Sequence, residues 1–460
     1  MTRSIALIQP RHCYAEAAST ATLGHIYFPT SLYVMAARLR AIGLDAKVYD
    51  ENVSRWCGTE ETVGLGSIGS PYMAAIALRL SELRAQGISK LIIGGQGIRG
   101  LSKNEFSRLF GVETVNGSVD EQLISGEIIS KPLPRQECVS IAHEIAELSD
   151  TVFRVYFSTE ASLYLSQGCR FSCTFCGAER SNPIAKAVVR ESYRDLACVE
   201  ADLVQIVRRS QALGIPENKF YLSNLDLFQT PASLSRFVDT VRSVLAAFPN
   251  HKLRFRALST TTSFMTVYRE SPDLVRRLVE VGLERVGFGI DGATPEVWRA
   301  TRKPHTSSNC LDAVAVAREV FGLQPEALMV FGHDGHDNAQ SLSLAVSTVR
   351  FLSEEYGAIP RPHVAKGLIP GNDGWFRGSG GWQKQFLLDN LWAFQFLDFT
   401  CLPTDLTHQD ADFRKAVKNA FLEICQMPNC LTQYVLPEDQ RLLPDQCTEA
   451  VRFNRGRFDI

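Results

Sequence analysis

Apolar positions along the first 130 residues switch between two spacings. Residues 4–9 (SIALIQ) form a short apolar run that predicts a strand. Residues 30–42 carry apolar side chains at helical spacing, and Gly43 supplies a stop. Further strands are predicted at 45–49, 62–69 and 90–93, the last running into Gly94 and Gly95, with a helix at 72–86. A weaker strand near 112–115 and a helix near 119–124 follow. This βαβα rhythm predicts a doubly wound parallel sheet over residues 1–130. Residues 131–160, with Pro132 and Pro134, read as a connector.

A second α/β series starts at 161. Strands are predicted at 163–166, 220–224, 253–258, 285–290, 328–332 and 364–369, with helices near 193–213, 234–247, 272–281, 308–321 and 340–355. In the first helix Leu196, Val199, Leu203, Ile206, Val207 and Leu213 share one face. Six such units over 161–375 fit a partial barrel, whose ligands sit at the C-terminal strand ends. From 376 to 460 the rhythm breaks and aromatics crowd in, so this stretch reads as a separate cap.

With 45% hydrophobic and 21% charged residues in 460, the chain has ample material for a core, which excludes a largely disordered protein. A formal charge of −2 gives no footprint for nucleic acid. No apolar run approaches the roughly 20 residues of a membrane span. The N-terminal apolar run lacks a signal-peptide cleavage site, so a cytoplasmic location is expected. In that compartment twelve cysteines call for a metal or catalytic explanation rather than disulfides.

The strongest signal is LSQGCRFSCTFC. Cys169, Cys173 and Cys176 follow a predicted strand as C-x3-C-x2-C, and Gly168 lets the chain turn off its end. Three thiolates in one tight loop suit three irons of a cubane and leave the fourth open to a small molecule. A closed zinc site would want a fourth ligand. The nearest further cysteine, Cys198, lies within a predicted helix. Buried structural thiols are the other plain reading. Cys401, Cys425, Cys430 and Cys447 are four more thiols, the number a second cluster takes, although isolated buried cysteines are common.

The loop resembles that of the radical S-adenosylmethionine (SAM) superfamily, with Phe175 at the usual aromatic position, and the resemblance covers residues 160–375. It implies a 4Fe–4S cluster, SAM and an external one-electron donor of flavodoxin or ferredoxin type. It also implies cofactor contacts from YLSNLDLF (Ser223, Asn224, Asp226), from GFGIDGATPEVW (Asp291) and from MVFGH (Gly332). GLIPGNDGW resembles the barrel-closing segment of members with an N-terminal cobalamin-binding domain, and residues 1–130 are similar to that domain. The D-x-H-x-x-G cobalamin motif is absent, since His12 and His25, the histidines of this region, stand outside it. An empty domain is therefore expected.

Within the superfamily the chain resembles the aminoglycoside diol dehydratases of the apramycin type. That implies hydrogen abstraction at carbon 4′ of paromamine, loss of the 3′-hydroxyl as water and one-electron reduction. A separate NADPH-dependent reductase would then act on the 4′-oxo product. A cationic substrate needs acids, and Asp226, Asp291, Asp334, Asp337 and Asp373 lie near predicted strand ends. Asp337 and Asp373 are the candidate substrate-binding acids. Elimination needs a base and an acid, and His333, Asp334, His336 and Lys366 are the candidates. Two alternatives are a cobalamin-dependent radical SAM methyltransferase and a redox carrier. The carrier is disfavoured because such proteins fill all four iron positions.

Overall fold

A computed structural model describes residues 4–11, 28–58, 60–67, 72–88, 90–110, 129–177, 191–304, 307–377 and 381–432. Strands β1 (Ser4–Gln9), β2 (Asp45–Asp50), β3 (Thr62–Ser67) and β4 (Lys90–Gly95) form a parallel sheet in the order β2-β1-β3-β4. Helices α1 (Thr30–Arg40), α2 (Met73–Ala85) and α3 (Lys103–Phe110) accompany it. The elements predicted at 112–115 and 119–124 lie outside the described residues.

After α4 (Asp150–Phe157), six strands form a second parallel sheet. They are β5 (Glu160–Tyr164), β6 (Glu217–Ser223), β7 (Lys252–Ser259), β8 (Leu283–Gly289), β9 (Gln324–Phe331) and β10 (Ile359–Val364), and they pair in chain order. No pairing joins β5 to β10 among the described residues, so the barrel is partial, as expected. The connecting helices are α5 (Leu196–Ala212), α6 (Pro231–Ala247), α7 (Thr261–Glu270), α8 (Pro272–Glu280), α9 (Pro295–Thr301), α10 (Ser307–Glu319) and α11 (Ala339–Tyr356).

The sixth strand differs from the expectation. It was predicted at 364–369 but ends at Val364. The sequence IPRPHV argues against a strand because proline cannot donate to a ladder. Yet β10 is an edge strand paired only with β9, so Pro360 and Pro362 are tolerated. Residues 365–372 then become a loop over the C-terminal strand ends.

Helix α1 joins the two sheets. Leu32, Ala36 and Leu39 pack on the first sheet, while Tyr33, Val34 and Ala37 enter the barrel core. The chain after 376 divides between two cores. Leu387, Leu391, Phe394, Leu397 and Leu406 pack with the N-terminal sheet and α2, around helix α12 (Gly381–Asp389) and the turns that follow. Helix α13 (Ala411–Cys425) instead joins the barrel core through Val417, Phe421 and Ile424, against α11 and β10.

The connector is fastened by charge. Arg194 and Asp202 are both sealed from solvent, and their ion pair is 2.6 Å long. Asp202 also accepts from Ser140 Oγ (2.6 Å) and Ile141 N (2.8 Å), and Arg194 donates to Val139 O (2.7 Å). Removing one partner of a buried pair strands the other. Asp202→Ala should therefore lose about 3–5 kcal/mol in urea denaturation. A loss below about 1 kcal/mol would show that the pair adds little to the connector's anchorage.

Candidate functional site

The cysteine loop hangs from the C-terminal end of β5. Ser166 and Gln167 pair with Ser192 and Tyr193, and Gly168 turns the chain at φ 93°. Gln229 clamps the loop's start: its amide donates to Gly168 O (3.0 Å) and accepts from Arg170 N (3.2 Å). Further on, Thr174 N donates to Thr301 O (3.0 Å) and Asp373 N donates to Thr174 O (3.1 Å). Backbone bonds from three separate elements thus fix the loop before any cofactor binds.

Cys169, Cys173 and Cys176 are half-buried. Burial pushes the Cys169 thiol up to about 12, with Asp226 and the two other thiols adding to it. It pushes Cys173 up to about 11 despite Lys303. These thiols are near enough to repel one another as thiolates, a cost that bound iron would remove. Among the described residues no three His, Cys, Asp or Glu side chains close on one ion-sized point. A cubane needs no such convergence, because each thiolate takes a different iron. The donor set therefore suits a cubane better than zinc.

Lys303 was missed by the sequence reading. Its side chain is nearly sealed from water, ion-paired with Asp291, and 5.8 Å from the centre of the Phe175 ring. Burial alone would lower its pKa; Asp291 and the thiols Cys173 and Cys176 reverse that and hold it raised. Asp291 also accepts from Val330 N (3.1 Å). The expected SAM contact of Asp291 thus has a charged neighbour already in place.

The YLSNLDLF residues divide by role. Asp226 is fully buried and accepts from Ser259 Oγ (2.9 Å), Thr260 N (3.2 Å), Thr260 Oγ1 (3.0 Å) and Ser263 Oγ (2.6 Å). Asn224, with its amide oriented to suit its neighbours, donates to Leu222 O (3.0 Å) and accepts from Leu227 N (2.9 Å). Both carry the turn after β6. Ser223 sits half-buried at the strand end.

At the end of β9, Gly332 has φ 79°, and a Cβ there would lie 2.7 Å from Val417. The missing side chain makes room for α13. His408, also missed, donates from Nε2 to Gly332 O (2.7 Å) and accepts from Thr407 Oγ1 (2.9 Å). Burial pushes its pKa down to about 4, so the ring is neutral.

His333 is buried with its ring centre 5.1 Å from that of Phe175. Burial lowers its pKa, against Asp337 and Asp291. Asp337 accepts from Gly332 N (2.9 Å), His333 N (2.9 Å) and Ser341 Oγ (2.7 Å), so its carboxylate shapes the loop that carries His333. Asp334 and His336 are exposed. Asp373 is held between Arg302 and Arg377. These bonds give Asp337 and Asp373 structural employment apart from any substrate. Asp334 and Asp337 line a cavity of about 410 Å³ together with Asp410 and Asp412.

Lys366 is 0% exposed and donates to Cys401 O (2.9 Å). Burial pushes its pKa down to about 8, with Cys401 and Asp398 opposing. Electrostatic coupling links His408 to both Lys366 and His333. Cys401 lies beside Lys366 at the upper strand ends, whereas Cys425 ends α13 about 12 Å along the helix from Val417. Cys447 lies outside the described residues.

Residues 163–342 match the family model of the radical SAM superfamily. No curated protein matches the chain. Among solved structures it is similar to the cobalamin-dependent SAM radical enzyme OxsB with aqua-cobalamin and SAM bound, at 13% identity and TM-score 0.56, covering 89% of this chain and 58% of that one. OxsB with aqua-cobalamin alone gives 13% identity, TM-score 0.55 and the same coverage. The apo enzyme gives 12% identity, TM-score 0.56, and 95% and 65% coverage. The chain thus spans 58% of the length of the first two, and the likeness at this identity is one of fold. The match takes in less than half of the chain, and the cofactors of that family are a 4Fe–4S cluster and SAM. No described helix is long and apolar enough to cross a membrane.

Replacing Cys169 with Ala removes one of three thiolates. Iron and acid-labile sulfide should fall well below the four per chain of a cubane, and 5′-deoxyadenosine should not form from SAM. Full iron content and parent-level SAM cleavage would reassign the loop.

Proposed function

We propose that this chain is a radical SAM diol dehydratase that removes the 3′-hydroxyl of an aminoglycoside precursor such as paromamine. The observation that carries the reading is the sealed Lys366 amine at the C-terminal strand ends, held by Cys401 O and with its pKa pushed down to about 8 by burial. A proton-transfer group poised near neutral pH beside the cluster loop is what a radical elimination requires.

When bound, the cluster supplies the electron that cleaves SAM to methionine and a 5′-deoxyadenosyl radical. The loss of the hydrogen atom from carbon 4′ leaves a radical beside the 4′-hydroxyl. A base must take that hydroxyl's proton, and Lys366, as the neutral amine, is the candidate once the segment that seals it admits the substrate. The carbon–oxygen bond at 3′ breaks, and the departing hydroxide takes a proton to leave as water. His336 is the candidate donor, since burial keeps the His333 ring neutral. One electron from a flavodoxin- or ferredoxin-type donor and one proton then give the 3′-deoxy-4′-oxo sugar, for a separate NADPH-dependent reductase. The exposed carboxylates of Asp334, Asp410 and Asp412 around the cavity support a substrate bearing several ammonium groups.

A second reading is cobalamin-dependent radical SAM methyl transfer. It is favoured by the similarity to OxsB, which holds aqua-cobalamin. Protein reconstituted with hydroxocobalamin and passed through a desalting column separates the two. A dehydratase with an empty domain should emerge without corrinoid absorbance. Retained corrinoid with a methylated product would favour the second reading.

Incubation with SAM, reductant and 4′-deuterated paromamine tests the first reading by mass. Product lighter than the labelled substrate by one HDO is expected, with the label in 5′-deoxyadenosine. Lys366→Met should lower dehydration by roughly 10²-fold or more while label still reaches 5′-deoxyadenosine. Because the neutral amine is the base, the parent's elimination rate should rise as pH passes through about 8. That limb should vanish in Lys366→Met. A variant that dehydrates at the parent rate would remove Lys366 from the mechanism.

A further inference from the structure

We infer that Lys303, held in place by Asp291, is an electrostatic positioning residue that sets the reduction potential of the cluster bound by Cys173 and Cys176. The inference rests on the assignment of that loop as the cluster site.

The geometry around the pair is specific. Arg302 ends α9 in the left-handed conformation, at φ 56°. Lys303 N then donates to Trp298 O (2.8 Å), which fixes the backbone from which the side chain departs. Thr301, two residues earlier, accepts from Thr174 N, midway between Cys173 and Cys176. The same short segment thus holds the loop and delivers the ammonium. Gly289, the last residue of β8, leaves space for the pair: a Cβ there would lie 3.0 Å from Lys303 Nζ and 3.1 Å from Asp291 Oδ2. Asp291 is itself fixed by Val330 N. Both members are buried, so water screens them little.

The consequence is one of charge. Reduction adds one electron to a cluster that already carries three protein thiolates. A fixed cation beside two of them stabilises the reduced state more than the oxidised one. Asp291 opposes this more weakly, as its smaller effect on Cys173 shows, while also holding the ammonium in place. The two residues therefore act in opposite directions on one equilibrium. A purely structural role for the pair would give both substitutions the same sign.

The test is an EPR-monitored redox titration of reconstituted, iron-replete protein without substrate. Lys303→Met should make reduction less favourable by about tenfold, which is ~59 mV for a one-electron couple. Asp291→Asn should shift it the other way, and Lys303→Arg should stay near the parent. If Lys303→Met and Asp291→Asn hold about four irons per chain at the parent potential, the inference fails while the cluster assignment stands. Shifts of the same sign in both would also overturn it. Should Lys303→Met not retain iron, Asp291→Asn and Lys303→Arg decide: an Asp291→Asn potential at or below the parent's overturns the inference. A parent that binds no iron would instead defeat the loop assignment.

Discussion

The architecture depends on a backbone-to-backbone contact that only glycine permits. A Cβ on Gly100, just past β4, would lie 2.3 Å from Gly371 N and Pro370 C. A Cβ on Gly177, next to Cys176, would lie 3.1 Å from Pro370 O. The loop at 366–375 is therefore wedged between the N-terminal sheet and the cysteine loop, with no side chain to act as a spacer. Its own form is equally constrained. Asn372 donates to Lys366 O and Gly367 O (both 3.2 Å), and a Cβ on Gly374 would strike Gly367 O. Trp375 then enters the N-terminal core and Asp373 reaches back to Thr174. One loop thus sets the distance between the first sheet, the barrel mouth and the cysteine loop.

The two ends of the barrel handle charge differently, and this marks which end is functional. In the N-terminal half, Glu326 is fully buried and meets Arg361 (2.8 Å), Arg285 (3.4 Å) and Arg256 (3.5 Å). Arg256 in turn holds Glu160 through two hydrogen bonds, of 2.7 and 2.9 Å. Acids and bases there answer one another, so the polar interior is a closed network. At the C-terminal ends burial outweighs the acids nearby, and the pKa values of His333, His408 and Lys366 fall although Asp337 and Asp291 oppose this at His333 and Asp398 at Lys366. Keeping groups near neutrality by burial is what proton transfer needs, and it occurs on the face where barrel ligands bind.

The parallel sheets and the cysteine motif were legible in the sequence because both are local signals: periodicity over a few residues and a spacing within one loop. What was missed depends on tertiary context. Lys303 follows a short helix, where a basic residue reads as an ordinary complement to the helix dipole. Only the fold shows that this helix end abuts the cysteine loop. Gln229 and His408 are single polar residues without a pattern, and each meets its partner across more than 60 or 70 residues of chain. Asp226 and Asp337 lie shortly after the ends of β6 and β9, whereas Asp373 follows β10 by a loop and opens a short helix. A carboxylate suits a ligand and a backbone N–H equally well, so sequence could not show how many of its acceptor sites the protein itself fills.

The cap explains why burial at the barrel mouth is more than a local property of Lys366. Its amine is capped by Cys401 O, in a stretch whose neighbours Leu397 and Leu406 belong to the N-terminal core. His408 and Val417, a few residues on, belong to the barrel side and close over Gly332. The seal over the mouth is thus made by one chain segment anchored at its start in one core and at its end in the other. Parting the two cores would pull Cys401 O from Lys366 and admit water. The amine would then return toward its ordinary basicity, and the free base would become scarce at neutral pH. The N-terminal sheet, whatever it binds, therefore helps to keep the Lys366 amine sealed by holding that segment in place.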